Sequence, residues 1–327
     1  MIITKTPFRV SFCGGGSDMP DFYRQHGGCV ISTSINRYMY LSIHPYFNED
    51  LTALKYSKTE IVDDLDKIEH SIFRCVLKDK DIKGVEITST ADVPSGTGLG
   101  SSSAFTVGLL HSLYCYNGKY VSKQEIAKEA CQVEIEKLGN PIGKQDQYAA
   151  ACGGFNFITF HPDESVTVEP VIMQQETLQA LQDNILIFYT GLTHDANKIL
   201  AEQKKNISAV DKTANLIRMC ELAREMKQSL ESNELSDFGN MLHEGWIKKK
   251  ELANGIANPK IEEMYEYAIT HGASGGKLLG AGGGGFLLFY CEKHKQRQLI
   301  ESMKLKRFPI RFERDGTSVV YIGDKYW

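Results

Sequence analysis

A glycine- and serine-rich segment, Pro94-Ser-Gly-Thr-Gly-Leu-Gly-Ser-Ser-Ser-Ala104, directly precedes residues that recur at helical spacing. Val107, Leu110 and Tyr114 fall on one side of a helix that begins near Ser101. Glycines let the backbone approach a ligand, successive amides can form an anion-binding nest, and the helix directs its positive end to the same point. The serine hydroxyls can bond phosphate oxygens or complete a Mg²⁺ shell. The segment therefore predicts a phosphate cradle, and a plain Gly-Ser turn with a serine cap is the alternative.

Two further glycine clusters flank this segment, one at Gly14-Gly-Gly16 and one at Gly280-Ala-Gly-Gly-Gly-Gly285. The second fits the dinucleotide pattern Gly-x-Gly-x-x-Gly, but a strand-like Phe286-Leu-Leu-Phe-Tyr290 follows where that fold needs a helix. The string nearest to a P-loop is Gly139-Asn-Pro-Ile-Gly-Lys-Gln145, which has the wrong spacing and no hydroxyl residue after the lysine. The sequence therefore excludes a P-loop ATPase and disfavours a Rossmann oxidoreductase.

Two acidic residues downstream are candidates for chemistry. Ser122-Lys-Gln-Glu125 is a capping box that predicts a helix start, and Glu134 falls within the apolar stripe of that helix. A carboxylate on an apolar stripe needs a partner, which either a buried salt bridge or a Mg²⁺ ion bound with nucleotide phosphates would supply. Asp146 lies in the first turn of a helix predicted from about 146 to 151. There it can cap the helix, or orient a hydroxyl and accept its proton.

The composition of the chain excludes several function classes. Its 327 residues carry 37 Lys and Arg against 41 Asp and Glu, so no electrostatic footprint for a nucleic acid is present. The longest apolar runs are far shorter than the roughly 20 residues that cross a bilayer, and there is no signal-peptide pattern. Cysteines without Cys-x-x-Cys pairs and histidines without His-x-x-x-His spacing indicate neither disulfides nor zinc. We expect a cytoplasmic protein that binds a small molecule and neither nucleic acid nor membrane, with its oligomeric state open.

The pattern of elements divides the chain into two parts. Alternating strand-like segments precede the first predicted helices, and further strands are predicted near 155–160 and 166–171. Ile185-Leu-Ile-Phe-Tyr189 begins the second part. Helices of that part are predicted at about 194–208, 211–231, 234–252 and 259–270. A boundary within 172–182 gives two predicted domains, 1–180 and 181–327.

The order of these motifs resembles the GHMP kinase superfamily, which includes galactokinase, homoserine kinase and mevalonate kinase. The resemblance spans nearly the whole chain. It is carried by Pro7-Phe-Arg-Val-Ser-Phe-Cys-Gly-Gly-Gly-Ser-Asp18, by Pro94 to Ala104 and by Lys277-Leu-Leu-Gly-Ala-Gly-Gly-Gly-Gly-Phe286. It implies an α+β fold of two domains. The nucleotide-binding N-terminal domain would be ribosomal protein S5 domain 2-like with a left-handed βαβ crossover, and the C-terminal domain would be ferredoxin-like.

The resemblance also implies roles for individual residues and the use of ATP and Mg²⁺. Asp146 would be the catalytic aspartate, and Arg9 would aid hydroxyl activation or neutralise charge. Ser102 and Glu134 would ligate Mg²⁺. The residues that would hold ATP phosphates are Ser95, Gly96, Thr97, Gly98, Leu99, Gly100, Ser101, Ser102 and Ser103. The residues that would bind the sugar substrate are Gly15, Gly16, Ser17, Asp18, Gly283 and Gly284.

Within the superfamily, the first motif and Gly143-Lys-Gln-Asp-Gln-Tyr148 are more narrowly similar to the branch of D-glycero-D-manno-heptose 7-phosphate kinases. That branch implies phosphorylation of the anomeric hydroxyl of this sugar phosphate to the 1,7-bisphosphate, for nucleotide-activated heptose synthesis. Phosphorylation of fucose or another hexose is one alternative, and a catalytically silent, nucleotide-dependent sugar sensor is the other. His194 stands where an arginine is expected to contact a substrate phosphate. Other candidates for that contact are Lys5, Arg37, Lys144 and Lys198.

Overall fold

The computed structural model describes residues 1–192, 196–207 and 209–323, so His194 lies outside the described residues. The strands are β1 (Ile2–Cys13), β2 (Gly28–Pro45), β3 (Thr52–Lys55), β4 (Thr59–Val62), β5 (Val85–Ala91), β6 (Phe155–Phe160), β7 (Val166–Pro170), β8 (Ile185–Tyr189), β9 (Gly275–Leu278), β10 (Phe286–Tyr290), β11 (Lys306–Arg307), β12 (Phe312–Glu313) and β13 (Ser318–Ile322). The helices are α1 (Pro20–His26), α2 (Ser71–Lys80), α3 (Ser101–Tyr116), α4 (Lys123–Cys131), α5 (Gln145–Cys152), α6 (Gln175–Asn184), α7 (Ala196–Asn206), α8 (Val210–Glu231), α9 (Phe238–Lys250), α10 (Pro259–Thr270) and α11 (Gln296–Ser302).

The larger sheet has the order β13-β1-β2-β5-β3-β4, with β6 and β12 also paired to β2 and β7 paired to β6. Side chains alternate between the two faces of a strand, so Phe8 and Val10 of β1 enter the core while Arg9 and Ser11 face a cavity on the other side. Helix α3 packs against β1 and β2. Strands β3 and β5 are parallel, and the crossover between them contains β4 and α2. The left-handed sense implied for a βαβ crossover in this part stays a prediction.

The smaller sheet has the order β11-β8-β10-β9, and each neighbouring pair is antiparallel. If the four strands of this sheet are numbered by their order in the sequence, their spatial order is 4-1-3-2. Helices connect its first strand to its second and its third strand to its fourth, which is the β-α-β-β-α-β arrangement of ferredoxin-like folds. The predicted ferredoxin-like C-terminal part and the α+β class are therefore confirmed.

The helices predicted from the sequence are present with small differences in their ends. The capping box forms as predicted at the start of α4, because Ser122 accepts from the amide of Glu125 and Glu125 accepts from the amide of Ser122. The helix that begins at this capping box is α-helical only to Cys131, and residues Gln132–Lys137 form a π-helical turn. A π-helical turn often marks a functional site, and this one carries Glu134.

The C-terminal residues of the described chain return to the larger sheet. Strand β13 pairs with β1, and β12 pairs with β2. The boundary predicted between residues 180 and 181 stays a prediction, but the pairing shows that 312–322 complete the first sheet and not the second. Pairing between strands so far apart in sequence has no local signature, which is why the sequence pattern could not indicate it.

Buried residues of both sheets and of the helices between them form one continuous hydrophobic cluster. Its largest fully buried side chains include Trp246, Phe12, Phe73 and Phe188. Across the described ranges, none of the helices combines the length and the apolar character that crossing a bilayer requires.

Candidate active site

The predicted phosphate cradle is the loop between β5 and α3. Gly100, the residue before the helix, has left-handed backbone angles and provides no side-chain cap. The first amides of an α-helix have no partner within the helix, and the positive end of the helix attracts anions. Gly98, Ser101 and Ser102 line a cavity of about 300 Å³ at this helix end. The loop therefore offers backbone and hydroxyl donors to a phosphate group.

The glycine motifs at 94–104 and 277–286 are in direct backbone contact. A Cβ atom on Gly98 would overlap the carbonyl oxygen of Leu279, and a Cβ atom on Gly280 would overlap the Cα atom of Gly98. A Cβ atom on Gly285 would likewise overlap the carbonyl oxygen of Thr97. Glycine at these positions lets two parts of the chain that are distant in sequence meet at the cradle.

Arg9 connects the cradle to the predicted catalytic aspartate. Its Nε atom donates to Oδ1 of Asp146 at 2.7 Å, and its Nη2 atom donates to Oδ2 at 2.8 Å. Its Nη1 atom donates to the carbonyl oxygen of Gly98 at 2.7 Å. This bidentate pair fixes both carboxylate oxygens of Asp146 with respect to the loop, and such pairs give geometric specificity. Arg9 is almost completely buried, whereas Asp146 remains partly exposed to the cavity.

Glu134 is a fully buried carboxylate without a cationic partner among the described residues. Oε1 accepts a hydrogen bond from Ser102 Oγ at 2.7 Å, and Oε2 accepts one from Gln147 Nε2 at 2.7 Å. Burial raises the pKa of Glu134, the hydroxyl and amide donors oppose that shift, and the charge of Asp146 adds to it. The salt-bridge alternative weighed from the sequence is therefore wrong, and the carboxylate stands beside the cradle with only neutral donors.

The residues around Glu134 fit a magnesium ion. Ser102 Oγ and Glu134 Oε1 are two oxygen atoms side by side at the end of the cradle, and Mg²⁺ prefers oxygen ligands. No group of three or more His, Cys, Asp or Glu residues that could hold a metal occurs in the described part of the chain. Mg²⁺ is commonly bound by one or two carboxylates together with substrate phosphates and waters, so two protein oxygens suit it.

Asp18 lines the same cavity as the cradle. Its Oδ1 atom accepts from the amide of Gly16 at 2.8 Å, and its Oδ2 atom accepts from the amide of Gln145 at 3.1 Å. A Cβ atom on Gly143 would overlap the carboxylate, so glycine there permits the approach. Burial raises the pKa of Asp18, the amide of Gly16 opposes the shift, and the nearby Asp146 adds to it.

The cradle, Asp146 and Asp18 therefore line one cavity. The protein-family model for the GHMP kinases N terminal domain matches residues 51–154, and the family model described as GHMP kinases C terminal matches residues 226–309. The chain belongs to the GHMP kinase family.

This GHMP kinase is similar to sugar kinases among the curated proteins and the solved structures, as three examples show. D-glycero-alpha-D-manno-heptose 7-phosphate kinase of Campylobacter jejuni is 30% identical over 316 residues, which is 93% of each chain. L-fucokinase/L-fucose-1-P guanylyltransferase of Bacteroides fragilis is 26% identical over 93% of this chain, which spans 36% of that protein. The crystal structure of a D-glycero-D-manno-heptose 1-phosphate kinase from Bacteroides thetaiotaomicron has a TM-score of 0.81 at 24% identity, covers 99% of this chain and 100% of its own, and shows the same fold.

Most of the predicted site residues line the cavity of this GHMP kinase. They are Arg9, Gly15, Gly16, Asp18, Gly96, Gly98, Gly100, Ser101, Ser102, Ser103 and Asp146. Glu134 lies directly behind Ser102. In the glycine motif at 277–286, Gly280 and Ala281 line the cavity, whereas the predicted Gly283 and Gly284 do not.

Several predicted residues do not line the cavity, and their roles stay predictions. The hydroxyl of Ser17 is fully occupied, since it donates to the carbonyls of Gly14 and Cys29 and accepts from the amide of Cys29. Thr97 Oγ1 donates to the carbonyl of Pro94. The others pack against backbone or core: Leu99 is buried in the core, the amide of Gly283 donates to the carbonyl of Ile256, and Gly284 lies against the carbonyl of Leu192.

Lys249 is a cavity residue of this GHMP kinase that the sequence interpretation missed. It is only 6% exposed, lines the cavity, and donates from Nζ to the carbonyl oxygen of Gly280. Burial holds its pKa well below the usual value, and the positive charges of Lys277 and Arg9 lower it further. The run of three lysines in which it stands suggests a solvated face. Helical spacing does place Lys249 seven residues after the core residue Leu242, on the same side of α9.

A second cavity of about 640 Å³ adjoins the first at Gly96, Ser101 and Ser102. Its lining includes apolar and aromatic side chains together with Ser95: Met39, Tyr56, His70, Ile72 and Phe105. Burial lowers the pKa of His70, so its ring is neutral at physiological pH. These residues come from separate strands and helices, so no motif in the sequence could indicate them.

The four cations proposed from the sequence for a substrate phosphate do not line the cavity. Lys144 pairs with Glu164, and Lys5 lies over the ring of Tyr38. Arg37 donates to the carbonyl of Pro309. Lys198 is exposed on α7.

Proposed function

We propose that this GHMP kinase transfers the γ-phosphoryl group of ATP to the anomeric hydroxyl of D-glycero-D-manno-heptose 7-phosphate, giving the 1,7-bisphosphate for nucleotide-activated heptose synthesis. Similarity to the Campylobacter jejuni heptose kinase over 93% of each chain supports this acceptor. The observation that carries the reaction type is the guanidinium of Arg9, which joins Asp146 to the carbonyl of Gly98. An acid and a phosphate cradle thus lie within the span of one side chain, as phosphoryl transfer by positioning requires.

The nucleotide would occupy both cavities. Its base fits the larger cavity, where Tyr56, His70 and Phe105 provide apolar and aromatic surface. Its phosphates would then pass Gly96 and Ser101 and meet the first amides of α3. The γ-phosphate would reach the side of the cavity that holds Arg9 and Asp146.

The protein would hold Mg²⁺ through Ser102 and Glu134. The ion would neutralise charge on the phosphates during transfer. Gln147 holds the second carboxylate oxygen of Glu134 and so orients the first oxygen toward Ser102. This support keeps the predicted ligands in place before the nucleotide binds.

Asp146 would orient the acceptor hydroxyl and accept its proton late in the transfer. Because Arg9 bonds both oxygens, the carboxylate is held in one orientation. Arg9 would also offset charge on the migrating group, since its third hydrogen bond places it against Gly98 of the cradle.

Lys249 would neutralise charge at the same end of the cavity. Its ammonium bonds the carbonyl of Gly280, and Gly280 packs on Gly98 of the cradle. A buried ammonium whose only hydrogen-bond partner in the described part of the chain is a carbonyl is costly, and a bound phosphate would supply a counter-charge. This position favours the transferred phosphate over a phosphate at the far end of the sugar.

The test is a panel of acceptors assayed by ADP release with the full chain, ATP and Mg²⁺. D-glycero-D-manno-heptose 7-phosphate is expected to have the highest kcat/KM, above D-mannose, D-galactose and L-fucose. Phosphorus NMR of the product is expected to show a new anomeric phosphate resonance. A product phosphorylated away from the anomeric carbon would contradict the proposed regiochemistry.

L-fucose is the second candidate acceptor, because the similarity to a Bacteroides fragilis fucokinase also covers 93% of this chain. Preferential turnover of L-fucose in the panel would establish it in place of the heptose. Turnover of no sugar, together with ATP-dependent sugar binding, would favour a sensor. The presence of Arg9, Glu134 and Asp146 in one connected arrangement argues against a sensor, since binding alone does not need them.

A further inference from the structure

Two glutamine side chains that line the cavity near Asp18 each have one buried polar atom that makes no hydrogen bond with the described residues. Gln203 of α7 is 2% exposed, and its Nε2 atom has no hydrogen-bond partner among the residues that the structure describes. Gln145 of α5 donates from Nε2 to Oδ1 of Asp18 at 3.3 Å, and its Oε1 atom is buried without a partner in the described ranges. Both residues line the same cavity as Asp146.

The two amides lie over consecutive glycines of the first motif. A Cβ atom on Gly16 would overlap Nε2 of Gln203, whereas one on Gly15 would lie 3.4 Å from Nε2 and 4.0 Å from Oε1 of Gln145. The amides therefore approach the same short stretch of backbone from α7 and from α5. A side chain at Gly16 would displace the Gln203 amide. Glycine at this position therefore permits both the positive φ of the turn and the approach of that amide.

Unpaired polar atoms are rare inside proteins because each loses its hydrogen bonds to water on burial. The unused atom of Gln203 is a donor and the unused atom of Gln145 is an acceptor. A hydroxyl group is both a donor and an acceptor, so it can satisfy both atoms together. A phosphate or a carboxylate would satisfy only the donor.

We infer that Gln203, together with Gln145, binds one hydroxyl of the acceptor sugar and sets the orientation of the ring with respect to Asp146. This inference rests on the proposed function in that it takes a sugar to be the acceptor. It adds a specificity-determining residue from α7, where the candidate cation Lys198 does not line the cavity. Leu200, one helical turn before Gln203, lines the cavity on the same side of α7 and provides an apolar contact.

The test compares the wild type with Gln203→Leu, which removes the amide at similar size, and with Lys205→Ala as the control. Lys205 is exposed on the same helix and does not line the cavity. The acceptors are D-glycero-D-manno-heptose 7-phosphate and its 2-, 3-, 4- and 6-deoxy analogues. For the parent sugar, Gln203→Leu is expected to raise the acceptor KM about ten-fold and to leave the KM for ATP unchanged. The control is expected to match the wild type.

The deoxy analogues separate a direct contact from a structural role. One analogue is expected to lose about ten-fold in kcat/KM with the wild type and to lose nothing further with Gln203→Leu. Equal losses for every analogue in both proteins would overturn the inference. So would an unchanged acceptor KM in a variant whose melting temperature matches the wild type.

The outcome is separable from that of the proposed function. If the wild type does not phosphorylate the heptose but does phosphorylate L-fucose, D-galactose or D-mannose, the heptose assignment fails and the same comparison is made with that sugar. If no sugar is phosphorylated, calorimetric titration of the heptose 7-phosphate in the presence of AMPPNP replaces the kinetics. Weaker binding by Gln203→Leu then supports the contact, and equal binding or no binding to the wild type overturns it.

Discussion

Gly98 and Gly280 pack backbone against backbone, so that no Cβ atom can be placed on either residue without overlap. The first belongs to the loop before α3 and the second to the loop between β9 and β10. The contact joins the larger sheet's cradle to the smaller sheet's glycine motif. It also positions the carbonyl of Gly280, to which Lys249 donates.

This contact predicts that Gly98→Ala and Gly280→Ala each lower the free energy of unfolding by about 2–3 kcal/mol or more, through strain and overlap together. The matched control is Gly118→Ala, because Gly118 also has a positive φ of 65° but has open space around its would-be Cβ. The control is expected to cost about 1 kcal/mol from backbone strain alone. Urea denaturation of the three variants measures the difference, and equal losses would show that the contact does not matter.

Asp146→Asn is expected to lower kcat by about 10²- to 10⁴-fold, because the amide cannot accept the proton of the acceptor hydroxyl. The dissociation constant for ATP is expected to stay within about two-fold, since the cradle is unchanged. Asp63→Asn, which alters an exposed ion pair with Lys67, is the control and is expected to leave kcat unchanged. Near-normal turnover by Asp146→Asn would remove the aspartate from the mechanism.

Glu134→Gln is expected to raise the Mg²⁺ concentration needed for half-maximal activity by about ten-fold or more, because a charged ligand is lost. The same change is expected to stabilise the Mg²⁺-free protein. Burial raises the pKa of Glu134 in the folded state above its ordinary value of 4.5, so the folded protein binds the extra proton and its stability falls as pH rises from 4.5 through the folded pKa. The gain in melting temperature should therefore be larger at pH 8 than at pH 5. A magnesium titration that does not change would identify a purely structural carboxylate.

Lys249→Met is expected to lower kcat while raising the melting temperature of the free protein. Burial lowers the pKa of Lys249 below its ordinary value of 10.5, so wild-type stability falls as pH drops from 10.5 toward the folded pKa. Methionine removes this penalty, and its stabilising effect should be larger at pH 7 than at pH 9.5. The control is Lys250→Met, since Lys250 pairs with Glu262 at 2.9 Å and does not line the active-site cavity. Equal kcat values for the two variants would contradict a role of Lys249 in phosphate binding.

Local signals in the sequence were sufficient for the parts of the structure that depend on neighbouring residues. The start of α3 at Ser101 follows from the change from glycines to helical spacing, and the start of α4 follows from the Ser122 capping box. The family resemblance supplied the pairing of Arg9 with Asp146 in one site, which spacing alone could not. These predictions concern features that one motif contains or that a shared fold implies.

The remaining features depend on contacts between distant segments. Lys249 looks solvated in a run of lysines and is buried only because Gly280 of another loop receives it. Gln203 has no motif around it, and its meaning comes from the cavity that α7 borders. Ser17 was expected to meet the sugar, but the carbonyl of Cys29 on β2 faces its hydroxyl. For Lys249 and Ser17 the partner is a backbone group from a distant segment, and for Gln203 the important neighbour is the cavity; residue identity reveals neither.

The position of β13 has a consequence for how the molecule is made. Strand β1, which carries Arg9, lies between β2 and β13, and β13 follows the whole smaller sheet in sequence. During synthesis, the outer edge of β1 stays without its neighbour until the ribosome has passed that later region. A nascent chain stalled before β13 would thus expose an unprotected strand edge beside an unfinished nucleotide site, where chaperone binding or aggregation concentrates.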